Sequence, residues 1–305
     1  MFKTKIKGNS YYAVLDRTTV CIYMLNRRDC VFIDTGEIDS GRLLKILRSE
    51  GLRPRAIINT HLHIDHIGNN KALCDAYNIS VYASKTEISQ RNTDDEYSVC
   101  SSFAKRLIPN CSEGVLTIEG ADFLIIPTPG HSPGHQAVVT PDGVCCLGDA
   151  VMSMSKLNHS RVPYVHDAEK AMESMKKLLD TDYPFYLAAH NGLISGSEIK
   201  KTIRANIEKE EKLRETVEKI VTGEISMYRL EEKLMRAAGV TNPETLGYDW
   251  MHASARARIE EVVREGLLRK TGLNIYPVKK TVQGSRPPFK GGKGQLAFEN
   301  GKKKL

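Results

Sequence analysis

Between Asn59 and Gly68 the chain reads NTHLHIDHIG, and this stretch limits what the molecule can become more than any other. His61, His63, Asp65 and His66 fall within six residues, directly behind the apolar run Ala56, Ile57 and Ile58. Such a run reads as a buried strand, so the imidazoles and the carboxylate are delivered together at its end. Their nitrogen and oxygen donors suit a borderline divalent cation such as zinc. The spacing therefore predicts a metal site carried on a β scaffold.

The rest of the chain repeats the arrangement. Strands are expected over Tyr11 to Leu15, Val20 to Leu25 and Cys30 to Ile33, the last closed by Asp34, Thr35 and Gly36. A helix capped by Ser40 and stopped at Gly51 precedes the strand Arg55 to Thr60. Asn70 to Tyr77 reads as helix and Ile79 to Ala83 as strand, while the polar region Thr86 to Cys111 has no clear period. Val115 to Ile118 and Phe123 to Pro127 predict a hairpin through Glu119 and Gly120, followed by TPGHSPGH with His131 and His135. Gln136 to Thr140 pairs with Val144 to Leu147, which runs into Gly148 and Asp149. A loop from Ala150 to Val165 then leads to a helix with Ala168, Ala171, Met172, Met175 and Leu179 at helical spacing, read as core. Phe185 to Ala189 is the next strand, ending in His190, Asn191 and Gly192. Four strand ends thus present His or Asp, as a rigid scaffold does when it holds a loop-built site.

From Ser197 onward the texture is helical. Helices are expected from Ser197 to Gly223, from Ser226 to Ala238 and from Tyr248 to Glu265, then a short hairpin around Gly272. Helices followed by a two-stranded wing suggest a winged-helix-like module. Three segments follow: residues 1–196 as catalytic domain, 197–280 as the helical module and 281–305 as a basic tail expected to be mobile.

The net charge of +7 would suit a nucleic-acid partner, but its location matters more than its size. From Lys279 onward there are eight basic residues against the single acid Glu299, so residues 1–278 balance at 36 of each sign. The seven cysteines show no CxxC spacing and Cys145 and Cys146 are adjacent on one strand, facing opposite sides of the sheet, so reduced thiols are expected. No apolar run is long enough for a signal peptide or a membrane span, and a cytoplasmic protein without a membrane partner is expected.

His61, His63, Asp65, His66, His131, Asp149 and His190 together resemble the metallo-β-lactamase-fold superfamily, whose signature is HxHxDH followed by a His, a bridging Asp and a last His. The resemblance runs from Lys3 to Gly192, and the helical end looks like the branch of hydroxyacylglutathione hydrolases and β-lactamase-like endoribonucleases. It implies an α/β (α+β) fold, a four-layer αββα sandwich with metals at one edge. It also implies one metal on His61, His63 and His131, a second on Asp65, His66 and His190, and Asp149 bridging both. Asp65 and Asp149 carry the implied catalytic role, while Asp34 and His135 support the ligands by hydrogen bonds. Two zinc ions, or iron or manganese in their place, would share a bridging hydroxide that attacks the substrate.

Departures within the superfamily narrow the chemistry. Asp149 stands where the β-lactamases proper lack an Asp, which disfavours antibiotic hydrolysis, and His63 stands where flavin-dependent di-iron members have Glu. The implied function is hydrolysis of a small ester, thioester or lactone. Two alternatives stay open: a phosphodiesterase or ribonuclease reaching nucleic acid through the C-terminal module and tail, and a persulfide dioxygenase with one iron on His61, His131 and Asp149. Arg161, Tyr164 and His166, with His159, are candidate substrate contacts, and His252 is expected to be structural. A small molecule is the expected partner, with a homodimer as an open expectation.

Overall fold

The structure, a computed structural model, describes residues 2–39, 41–90, 99–243 and 249–278. Ser40, Tyr248 and the basic tail therefore lie outside the described residues.

Two sheets form the body. The first runs in the order β1 (Thr4–Lys7), β2 (Ser10–Leu15), β3 (Thr18–Met24), β4 (Asp29–Ile33), β5 (Arg53–Ile58), β6 (Ser80–Ala83) and β7 (Leu107–Pro109). Its first four strands are antiparallel, and β4 to β7 are parallel. The second sheet lines up β8 (Gly114–Ile118), β9 (Ala121–Pro127), β10 (Gln136–Val139), β11 (Val144–Gly148), β12 (Phe185–Ala188) and β13 (Gly192–Ser195). Within it, only the β11 and β12 pair is parallel. Glu119 and Gly120 both take positive φ, 50° and 80°, as a two-residue hairpin turn between β8 and β9 requires.

The inner faces pack on each other. Tyr23, Val31, Ile33, Ala56 and Ile58 from one sheet meet Phe123, Ile125, Val138, Cys146 and Leu187 from the other. Cys145 faces the opposite way, into the layer beneath the helices, as the alternation of a strand dictates. Outside the first sheet lie α1 (Arg42–Ser49) and α3 (Asn70–Tyr77), which bury Leu43, Leu47, Leu73 and Cys74 against Phe32 and Ile57. Outside the second lie α6 (Ala168–Leu179) and the long α7 (Gly196–Ile220), which bury Met175, Leu178, Ile199 and Ile203. Helix, sheet, sheet, helix is the expected four-layer order. Short helices α2 (Ile64–Ile67), α4 (Lys85–Ser89) and α5 (Met154–His159) lie in the connections.

Several local expectations need correction. Gly41, with φ 87°, sits at the α1 N-terminus, and the Asp39 carboxylate accepts from Gly41 N and Leu43 N. The long helix starts at Gly196 behind Ser195 rather than at Ser197, and it ends at Ile220, ahead of Gly223. The stretch 150–165 contains α5, whose Ser153 side chain accepts from Lys156 N. Leu178, not Leu179, is the fully buried leucine of α6.

Beyond α7 come β14 (Ile225–Ser226), α8 (Met227–Ala237), α9 (Asp249–Arg264), β15 (Leu268–Thr271) and β16 (Asn274–Pro277), with β16 between β14 and β15. They share a core of Leu213, Val217, Leu230, Leu234, Ile259, Val262, Leu268 and Ile275, to which Val162 of the two-sheet body also contributes. The module is thus packed onto the body. His252 is structural, stacked on Tyr228 and hydrogen-bonded to Glu231. All seven cysteines are free thiols. Among the described residues no helix is long and apolar enough to cross a membrane.

Candidate metal centre

Strand ends from both sheets meet at one edge. Parallel pairing of β4 with β5 sets Asp34 beside Asn59 and Thr60, and parallel pairing of β11 with β12 sets Asp149 beside His190. The sheets are tied together there, because Gln136 donates its backbone N–H to Thr60 O at 2.9 Å and its side-chain amide to Asn59 O at 2.9 Å. The HxHxDH segment runs through α2, and TPGHSPGH turns between β9 and β10.

All seven expected ligands converge. His63 Nδ1 lies 3.0 Å from His61 Nε2 and 3.0 Å from His131 Nε2. Asp149 Oδ2 lies 3.4 Å from His190 Nε2, 3.5 Å from His131 Nε2 and 3.8 Å from His66 Nε2. Asp65 Oδ2 is 3.4 Å from His190 Nε2 and 3.7 Å from His66 Nε2. Three sets result: His61, His63 and His131; Asp65, His66 and His190; and His61, His66 and Asp149 across the middle.

The donors fit divalent cations. Three imidazole nitrogens facing one another at 3.0 Å cannot all be satisfied by hydrogen bonds among themselves, whereas one cation between them satisfies all three. His66 Nε2 is buried and makes no hydrogen bond, although it points at two carboxylates. Burial and the neighbouring imidazoles hold the pKa of His61 well below its usual value and that of His63 down to about 3, so both are neutral and ready to ligate. At His190 burial opposes the charged form, but hydrogen bonds to Asp149 and Asp65 outweigh it and push the pKa up to about 10. A metal would compete with that proton, so binding here is coupled to pH.

The supporting contacts are specific. Asp34, at φ 62° and almost fully buried, accepts from Thr60 N at 2.9 Å, Thr60 Oγ1 at 2.8 Å and His66 Nδ1 at 2.8 Å. That bond fixes the His66 tautomer so that Nε2 faces the other ligands. His135 supports and does not ligate. Its Nε2 accepts from Asp149 N at 3.1 Å, so its proton sits on Nδ1 and is donated to Thr128 Oγ1 at 2.8 Å. His190 Nδ1 donates to Arg17 O at 3.0 Å. Gly148, at φ 53°, is required before Asp149, since a Cβ there would lie 2.6 Å from His135 Nε2 and 2.7 Å from Thr60 Oγ1.

Glu87 is a site residue that sequence reasoning missed. Nearly buried on α4, its carboxylate accepts from Leu62 N at 3.1 Å, Ser132 Oγ at 2.5 Å and Gly134 N at 2.8 Å. It thereby clamps the loop of His61 and His63 to the loop of His131. The available signal was the pattern Ser84-Lys-Thr-Glu87, a helix-capping sequence in which the glutamate ordinarily folds back on its own helix.

A cavity of about 820 Å³ opens over the centre, lined by His63, Asp65, His131, Asp149 and His190 on its floor. Tyr164 and Arg161 line it as expected, with His159, and the Tyr164 ring stands 5.4 Å from that of His63 and 5.1 Å from that of His131. His166 is not among the lining residues. It is exposed, and its backbone donates to Gly130 O. Lys156, Met152, Trp250 and Met251 line the cavity without having been anticipated.

Comparison with known proteins gives a family model described as the Metallo-beta-lactamase superfamily, matching residues 15–190. A hydroxyacylglutathione hydrolase of Buchnera aphidicola subsp. Baizongia pistaciae is 36% identical over 141 residues, covering 46% of this chain and 50% of that protein. An N-acyl homoserine lactonase of Bacillus cereus is 31% identical over 153 residues, covering 46% of this chain and 57% of its own. The chain thus spans about half the length of these relatives. A solved metallo-beta-lactamase family protein from Thermus thermophilus superposes with a TM-score of 0.67 at 17% identity, covering 91% of this chain and 97% of that one. That likeness concerns the fold and covers more of the chain than the family model does.

Proposed function

The chain belongs to the metallo-beta-lactamase superfamily, and from that premise we propose that it is a dinuclear zinc hydrolase cleaving a small ester, thioester or lactone. One observation carries the reading: Asp149 Oδ2 lies within 3.4 to 3.8 Å of imidazoles from three separate segments, as a carboxylate shared between two cation sites requires. Relatives named hydroxyacylglutathione hydrolase and N-acyl homoserine lactonase support the choice of bond.

Cations held by His61, His63, His131, Asp65, His66, Asp149 and His190 would make water a nucleophile near neutral pH and polarise the scissile carbonyl. The protein's own groups set the stage for that chemistry. Asp65 lines the cavity, and although burial opposes its charge, His190 and His66 bring its pKa down to about 2. An ionised carboxylate at this position orients water by accepting its hydrogen bond. Asp34, His135 and Glu87 hold the ligand segments rigid. Tyr164 and the cavity walls limit how substrate approaches.

A second reading is phosphodiester cleavage of nucleic acid, for which the C-terminal order of helix, strand, two helices and two strands would serve as a winged-helix-like binding module. A panel of esters, thioesters, lactones and a short RNA, offered to zinc-loaded and chelated protein, separates the two. Zinc-dependent turnover of a carbonyl substrate is expected, and RNA cleavage with no carbonyl turnover would reverse the assignment. Iron in place of zinc, with oxygen uptake on a persulfide, would move it to the dioxygenase.

A further inference from the structure

The cavity above the ligand cluster is lined by two chemically distinct groups of residues. Lys156 from α5 and Arg161 just beyond it are cationic, and neither has an ion-pair partner among the described residues. Trp250 and Met251 from α9, with Met152 and Ile64, are apolar. Trp250 is 43% exposed and Ile64 39%, and both line the space, so apolar surface is left open to it. Glu210 is already committed through both oxygens to Arg258, and the pKa of Lys209 is lowered by burial and by Arg161 itself.

Size narrows the ligand further. A volume of about 820 Å³ suits a ligand of roughly drug size, well beyond an acetyl group. Arg161 and Lys156 supply positive charge with no counter-ion among the described residues, which an anionic group would satisfy by charge-assisted hydrogen bonds. Trp250 supplies a broad flat surface for an apolar chain. We propose that these two groups select an amphipathic anion: a substrate with a carboxylate or phosphate paired to Lys156 and Arg161, and an apolar chain lying across Trp250 and Met251. The inference rests on the hydrolase reading for the bond broken, but not for the binding. It makes the C-terminal module a specificity-determining wall of the catalytic cavity.

Trp250 is the single tryptophan of the chain, so intrinsic fluorescence reports occupancy of this wall directly. The test titrates zinc-loaded protein with non-hydrolysable thioethers of equal chain length ending in a carboxylate, a phosphonate or a neutral amide, and with a short single-stranded RNA. The acids should perturb Trp250 emission and bind roughly ten-fold tighter than the amide, the size expected of charge-assisted contacts. Raising salt in the unaltered protein should erode that advantage, and the double variant Lys156→Gln/Arg161→Gln should abolish it while amide binding stays unchanged. The two acid probes identify which anion the wall prefers. An amide that binds as tightly as the acids, an advantage insensitive to both salt and the double variant, or RNA outcompeting every thioether would overturn the proposal. Anion-selective binding with no turnover of the parent thioesters or of the corresponding esters and lactones would support this recognition while removing the hydrolytic reading.

Discussion

At the residue scale the centre is a set of fixed side chains more than a set of ligands. Glu87 tests this most sharply, since it touches none of the reacting groups yet holds two ligand loops together. Glu87→Ala leaves Leu62 N and Gly134 N without their acceptor and should lower metal affinity and activity by about 10- to 100-fold. Glu87→Gln, which keeps one acceptor oxygen, should retain more of both; titration with a chelating dye checks the pair. An affinity unchanged in Glu87→Ala would deny Glu87 this role. The seven candidate ligands were legible in the sequence because the HxHxDH spacing is itself the chemistry and the resemblance it carries supplies His131, Asp149 and His190. Glu87 was not, because its partners, two backbone amides and the Ser132 hydroxyl, lie 25 to 47 residues away. Lys156 and Trp250 were invisible for the same reason, since nothing local marks a side chain as facing a cavity built by other elements.

Among the elements, α9 joins the C-terminal module to the catalytic body. Arg258, wholly buried, donates to both oxygens of Glu210 at 2.8 and 2.7 Å, to Ser254 O and to Pro163 O, next to Tyr164. Arg258→Ala would strand the Glu210 carboxylate, and a loss of about 3 to 5 kcal/mol is expected in denaturant unfolding. Nearby, burial together with Glu265 pushes Glu261 up from its ordinary 4.5 to about 7. The folded state therefore binds more protons than the unfolded one between those values, so stability falls as pH rises through that window and the full cost is present above it. Glu261→Gln should raise the melting temperature at pH 8 and leave it nearly unchanged near pH 4.5; equal shifts at both would refute the linkage. Long periodic elements such as α3, α6, α8 and α9 were readable from sequence. Strands β1, β7, β13 and β14 and helix α5, of two to six residues each, were not, because so short a segment has no period and is fixed by its neighbours.

For the molecule as a whole, two sheets, their flanking helices and the C-terminal module meet around one cavity. The sandwich was legible through the resemblance that the ligand motif carries, whereas the docking of α9 over the cavity depends on packing across sequence-distant elements. Because the ligands come from distant strand ends, metal binding should also stabilise the fold. Chelation is expected to lower the melting temperature and added zinc to restore it, by about 4 kcal/mol at a thousand-fold excess over Kd; a chelator without effect on unfolding would separate metal from fold. The most direct test is elemental analysis of protein dialysed with zinc, the wild type beside Asp149→Ala and His190→Ala. Two cations per chain in the wild type, and a loss of at least one in each variant, is the predicted result. Fewer than one cation per wild-type chain, or two retained in both variants, would contradict a shared centre built on Asp149.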